Sequence, residues 1–184
     1  MDRRLLLSGA ALGSVALLAT KAFAQAAPAM GEAETKHAEQ TGMVGALSLL
    51  QSRKAVAKAS DAKVKQFATW EVAEQETVGD ILKSMKAGPD AAQGALMPPT
   101  DDEAMAMVDA AGKAKLDELD GLSGADFDKA YVTANLEGHK KLLAIQEDYL
   151  MVGTNREHLS VAKQARGSIK EHIDHLEELQ ASLG

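Results

Sequence analysis

Residues 67–85 read FATWEVAEQETVGDILKSM, and the spacing of their apolar members decides the fold. With Val64 just before them, Phe67, Ala68, Val78, Ile81, Leu82 and Met85 recur every three or four positions, which is the period of one face of an α-helix. Glu71, Glu74 and Gln75 lie in the middle of that face. A carboxylate turned towards a core is costly unless it is paired, protonated or bound to a metal, so its partner must come from another helix.

The flanking residues bound this helix and place its neighbours. Ser60-Asp61 breaks the chain and supplies an N-cap, and Gly88-Pro89 stops the helix after about Lys86. A first helix is predicted over Thr35 to Lys58, with Met43, Ala46, Leu47, Leu49, Leu50 and Val56 on its buried side. The two form a tight hairpin. Beyond Pro98-Pro99, Thr100 and Glu103 make a capping box for one crossover helix reaching to about Leu119, weakened by Gly112. Ser123 caps the next helix, with Leu122 stapled against Phe127, and that helix runs through Tyr131, Leu136, Leu142 and Ile145 to Gly153. Thr154 with Glu157 reads as the capping box of the last helix, which continues to about Ser182.

Two long hairpins joined by one long crossover predict an all-α chain, a ferritin-like four-helix bundle whose crossover carries a short fifth helix. The composition agrees: 46% of residues are hydrophobic and only 3% aromatic, so the core is built from Ala, Leu, Val and Met. The absence of cysteine excludes disulfides and thiolate metal sites.

Residues 1–24 read as a cleaved export signal, with Arg3-Arg4, an apolar run from Leu5 to Leu18, and Ala22-Phe23-Ala24 before the cut. The arginine pair followed by Leu5 to Leu7 fits the twin-arginine route as well as the general one. Residues 25–34 read as a flexible leader, and 35–183 as a single domain. These features predict a periplasmic protein with no transmembrane helix once the signal is removed. The net charge of −7 argues against nucleic acid, which leaves an envelope protein or a second copy of the chain as the expected partner.

VKQFATWEVAEQETVGDIL, followed by FDKAYVTANLEGHKKLLAIQEDYL and by IKEHIDHLEEL, resembles domain-of-unknown-function family four-one-four-two over roughly Thr35 to Leu183. The resemblance implies an exported bacterial protein with a ferritin-like fold. Many members carry an Asp-His pair where this chain has Glu74-Gln75, and a Glu where it has Ser48. His139 and His172 align with histidines of the family.

Both histidines also lie on apolar stripes, so they converge with Glu71 in this reading, with Glu74 and His175 one turn away. Imidazole and carboxylate donors at such spacing suit iron, zinc, manganese or copper. The di-iron pattern needs a Glu from each of two helices and a Glu-x-x-His pair from each of the other two. Glu71-x-x-Glu74 and His172-x-x-His175 depart from it, and Glu34-x-x-His37 falls at the frayed start of the first helix. A metal-free Glu–His cluster that fixes helix register is the preferred reading of these residues, with metal binding as the alternative.

Met97, Met105 and Met107 could form a soft copper site but fit core filler better, Trp70 and Tyr149 fit packing with one polar edge near water, and His158 fits the surface. No nucleophile elbow, phosphate loop, dinucleotide fingerprint or HExxH motif occurs. The expected function is therefore a non-enzymatic role in the envelope or in stress, with metal binding or a di-metal oxidoreductase as the alternative.

Overall fold

The computed structural model describes residues 30–88 and 94–184. Six helices account for most of them: α1 (Glu32–Lys58), α2 (Ala62–Ala87), α3 (Asp101–Met107), α4 (Ala110–Asp120), α5 (Gly124–Val152) and α6 (Arg156–Leu183). No strand occurs among the described residues, so the chain is all-α. The expected signal peptide, the first half of the leader and Pro89 lie outside the described residues.

Local chemistry sets the helix ends. Asp61 opens α2 by accepting from the amides of Lys63 and Val64, and Gly88, at φ +93°, closes it in a conformation that side chains with a Cβ rarely adopt. Thr100 and Glu103 form the reciprocal capping box at α3. Other expectations need correction. The crossover holds two helices instead of one, because Val108 is extended and Asp109 caps a fresh start by accepting from Gly112. Ser123 precedes α5 but makes no side-chain cap bond. The cap of α6 is Asn155, which accepts from Glu157 and His158, and not Thr154. Helix α1 begins at Glu32, three residues inside the expected leader, and Glu34 is already buried.

Helices α1 and α2 pair closely, as do α5 and α6, and α1 also lies along α5. The contacts of α1 with α5 run from Glu34–Tyr149 through His37–Gln146 to Ser52–Tyr131, so these two helices are antiparallel. The fourth side, between α2 and α6, is bridged by long side chains: Phe67 edges against His172, and Glu71 and Glu74 reach the same histidine. The crossover covers the outer face of α1, where Ala46, Leu49 and Leu50 pack on Ala104, Val108 and Leu116. Arg53 pins it by bonding the Pro99 carbonyl at 3.1 Å and Asp101, while also bonding Glu76 of α2 at 2.7 Å. The methionines expected in the core are not there: Met97, Met105 and Met107 are exposed along the crossover.

The seam between α1 and α5 is polar. On α1 the buried positions 34, 37, 41, 45, 48, 52 and 55 follow a three-four spacing and hold Glu34, His37, Thr41, Gly45, Ser48, Ser52 and Ala55. On α5 positions 128, 131, 135, 139, 142, 146 and 149 repeat that spacing, and only Leu142 among them lacks a polar group. Two clusters of apolar side chains adjoin this seam and share residues with it, one around Phe67, Phe127 and Leu176, another around Leu142, Ile145 and Ile169.

Candidate metal centre

Glu71 projects from the middle of α2 and is fully buried. Its Oε1 accepts from the Ser48 hydroxyl at 2.6 Å and from the Gln75 amide at 3.0 Å. These bonds fix the carboxylate and leave Oε2 to face two rings. His139 Nε2 of α5 lies 3.2 Å away and His172 Nδ1 of α6 lies 3.0 Å away, while the two nitrogens are 3.2 Å apart. Helical spacing explains the convergence, since each residue sits on the inward face of its own helix near mid-length.

The outer nitrogens show what these inner atoms carry. His139 Nδ1 lies 2.8 Å from the Asn135 carbonyl, which can only accept, so the ring proton resides there. A neutral His139 then turns a bare lone pair inward. Glu74 Oε2 lies 3.3 Å from His172 Nε2 and favours a proton on that side, which likewise leaves Nδ1 bare. Three lone-pair atoms therefore meet at mutual distances of 3.0 to 3.2 Å. Such atoms repel one another unless a cation or added protons lie among them. A tetrahedral site with metal–nitrogen bonds of about 2.0 Å has donor–donor edges of about 3.3 Å. The backbone carbonyl and outer carboxylate behind the rings are the groups that ordinarily orient metal-binding histidines.

Electrostatics at the site follow from burial and pairing. Burial pushes the Glu71 carboxyl up, but the neighbouring His139, with bonds from His172 and Ser48, outweighs it and holds the group far below the carboxylate range. Burial pushes His139 down, and the Glu71 carboxylate reverses the balance, so this ring protonates more readily than usual. Glu74 moves the other way, raised by burial beside the Glu71 charge despite the pull of His172.

Of the five expected ligands, Glu71, His139 and His172 come together, with donor atoms within 4.8 Å of one another. Glu74 meets only the outer face of His172. His175 stands apart, its ring 5.7 Å from that of Phe67 and 5.6 Å from that of the half-exposed Trp70. No other such group of three occurs among the described residues.

A second buried polar cluster lies at the far end of the seam, where the sequence pointed to a frayed helix start and a surface residue. Glu34, His37, Tyr149 and His158 are all buried. His158 is next to a helix start but its ring turns inward, because Asn155 caps α6 and fixes its first turn. Tyr149 also has no edge near water, since its hydroxyl donates to Glu34 Oε1 at 3.0 Å. The missed signal was the spacing from Glu34 and His37 to Thr41 and Ser48, which continues the inward register of α1.

An all-helical chain with a buried carboxylate–imidazole centre across three of its long helices is thus the class of protein defined here. The chain belongs to the family described as a domain of unknown function, DUF4142, whose model matches residues 19–179. Comparison with curated proteins and with solved structures finds no match. No helix among the described residues is long and apolar enough to cross a membrane.

Proposed function

We propose that this chain is an exported periplasmic protein whose four long helices form a ferritin-like bundle holding one divalent transition-metal ion at Glu71, His139 and His172. The observation that carries the proposal is the meeting of three bare donor atoms, two of them on rings whose outer nitrogens face an acceptor. The ferritin-like reading is supported by two antiparallel hairpins and a long connection between helices that run the same way. A lone carboxylate with two imidazoles suits zinc, iron or copper, and the single group of ligands among the described residues favours one ion over a di-metal pair. When bound, such an ion supplies Lewis acidity or redox chemistry.

The chain's own residues prepare the site. Ser48 and Gln75 hold Glu71 ionised and aimed, Asn135 fixes the tautomer of His139, Glu74 does the same for His172, and Phe67 packs edge-on against both rings. The second reading is a metal-free cluster held by protons, with a charged His139 against Glu71, and it is favoured by the raised proton affinity of that ring. Protein isolated from the periplasm without chelator or affinity tag decides between them. About one equivalent of metal in the wild type, lost in His139→Ala and Glu71→Gln, is the expected result. A folded wild type that carries none, and takes up none of added zinc or ferrous iron, removes the metal reading.

A further inference from the structure

The second cluster joins three helix ends: the start of α1, the end of α5 and the start of α6. Glu34 Oε1 accepts from the amides of Thr154 and Asn155 at 3.2 Å each as well as from Tyr149, so this carboxylate is the bond between α1 and the α5–α6 turn. His37 stacks on Tyr149 with ring centroids 4.2 Å apart, and its Nε2 lies 2.7 Å from Gln146 Oε1. The Gln146 amide nitrogen in turn donates to Thr41 at 3.0 Å. On its other side His37 Nδ1 faces His158 Nδ1 at 3.4 Å, and His158 Nε2 is buried with no partner.

Proton counting constrains this arrangement. With Gln146 as drawn, His37 carries its proton on Nε2, so His158 Nδ1–H must donate to His37 Nδ1 and its own Nε2 is a bare acceptor. With the amide reversed, His37 Nδ1–H donates instead. Either way two neutral rings share one proton along the Nδ1–Nδ1 line. An added proton leaves a buried cation whose new N–H meets no acceptor, or sets N–H against N–H. A metal is a poorer fit than a proton, because no third ligand joins these two rings in a group of the kind formed by Glu71, His139 and His172.

We propose that Glu34, His37, Gln146, Tyr149 and His158 form a proton-released clasp, which holds the first turns of α1 against the α5–α6 turn while both rings are neutral and lets go in mild acid. The charged and titratable groups facing it are Glu34 from α1, Tyr149 from α5 and Glu157 from α6. Glu34 and Glu157 favour a charged ring, but the Glu34 oxygen named above is committed to a hydroxyl and two amides. Burial outweighs the acids and lowers the proton affinity of both histidines.

The sign follows from linkage. The unfolded or opened rings, with pKa about 6.5, take up protons before the closed ones. The closed form is therefore fully favoured above that value and loses ground as pH falls through it. Each unit of lowered pKa allows up to about a tenfold shift per ring towards the open form.

The test is amide hydrogen exchange on the full mature chain at pH 7 and pH 5, corrected for intrinsic rates, together with NMR titration of the histidine rings. His37 and His158 are expected to titrate below 6.5, and protection at residues 32–41 and 152–160 to fall at least tenfold, while residues 60–68 at the opposite end keep theirs. In His158→Gln, where an amide can still donate to His37 without binding a proton, the pH effect is expected to flatten. Rings that titrate at or above 6.5, protection lost equally at both ends, or an undiminished effect in His158→Gln would each overturn the proposal. The ring titrations and the end-to-end comparison use the wild type, so they decide the matter even if the variant does not fold. They also proceed on protein stripped of metal, independently of the centre at Glu71.

Discussion

Glu71 shows how much one buried residue can be made to hold. Both of its oxygens are engaged, Oε1 by neutral donors and Oε2 by the two rings, where a metal ion or added protons would compensate the charge in the absence of bulk water. Removing different parts of that set has different costs. Ser48→Ala takes one donor and leaves Gln75, and about 1 kcal/mol of stability is expected to go in denaturant unfolding. Glu71→Ala strands two imidazoles in the core, and about 3–5 kcal/mol is expected to go with it, together with any retained metal. Equal losses in the two variants would mean that the carboxylate is not the hub of the centre.

Glu34 makes the same argument with pH as the probe. Burial raises its pKa, but the amides of Thr154 and Asn155 and the Tyr149 hydroxyl hold it at about 2. Its folded value is depressed, so its stabilising share is present above the usual carboxylate pKa near 4.5 and is lost as pH falls from there towards 2. That share is of order 1–3 kcal/mol. Stability measured from pH 5 to pH 2 should fall less steeply in Glu34→Gln than in the wild type. A neighbouring glycine depends on the same contact. A Cβ on Gly153 would come within 2.4 Å of the Tyr149 ring. Gly153→Ala is therefore expected to push that ring off Glu34, lowering the thermal midpoint by an amount equivalent to about 1–3 kcal/mol.

At the scale of elements, the joint between the first hairpin and α5 rests on Asp128. Buried near the start of α5, it accepts from the Ser60 amide at 3.1 Å, the Asp61 amide at 2.8 Å and the Ser60 hydroxyl. Asp128→Ala leaves those donors at a tight turn, and about 2–3 kcal/mol of lost stability is expected, with faster amide exchange at Ser60 and Asp61. An Asp128→Ala chain as stable as the wild type would show that water takes over these bonds at no cost.

The elements also show where sequence reading succeeds and where it stops. Helix α2 was legible because its apolar stripe, its Asp61 cap and its Gly88 stop agree with one another. The meeting of Glu71 with His139 and His172 was legible for the same reason, as each lies on a stripe with a clear period. Helix α1 was read through only one of its two buried faces. Its leucines, at 47, 49 and 50, face the crossover, while the face turned to α5 carries Glu34, His37, Thr41 and Ser48, residues that hydropathy places outside. Two buried faces on one helix leave no single period to find. The division of the crossover at Val108 and Asp109 was hidden because the residues on either side both favour helix, and the break depends on a cap bond and on Val108 packing against α1.

For the whole molecule, the polar seam carries the specificity of assembly. Glu34–Tyr149, His37–Gln146, Ser48–Asn135 and Ser52–Tyr131 join α1 to α5 across long stretches of chain. Sliding one helix by a turn would mismatch every pair at once, a penalty that an apolar seam of similar leucines would not impose. Direct side-chain partners also make the seam sensitive to single changes: Ser52→Ala leaves the buried Tyr131 hydroxyl without its bond at 2.8 Å, and about 1–2 kcal/mol of stability is expected to be lost.

The same seam sets a limit on how far the protein can be improved as a material. A designer seeking heat resistance would fill positions 34, 37, 41, 48 and 52 of α1 and their opposites on α5 with well-packed aliphatic side chains, since apolar replacements for buried polar networks are often neutral or stabilising. Such a chain would gain robustness by erasing Glu34, His37, His139 and the support of Glu71. Durability and the buried carboxylate–imidazole clusters draw on the same interior positions here, and the natural sequence has kept the clusters.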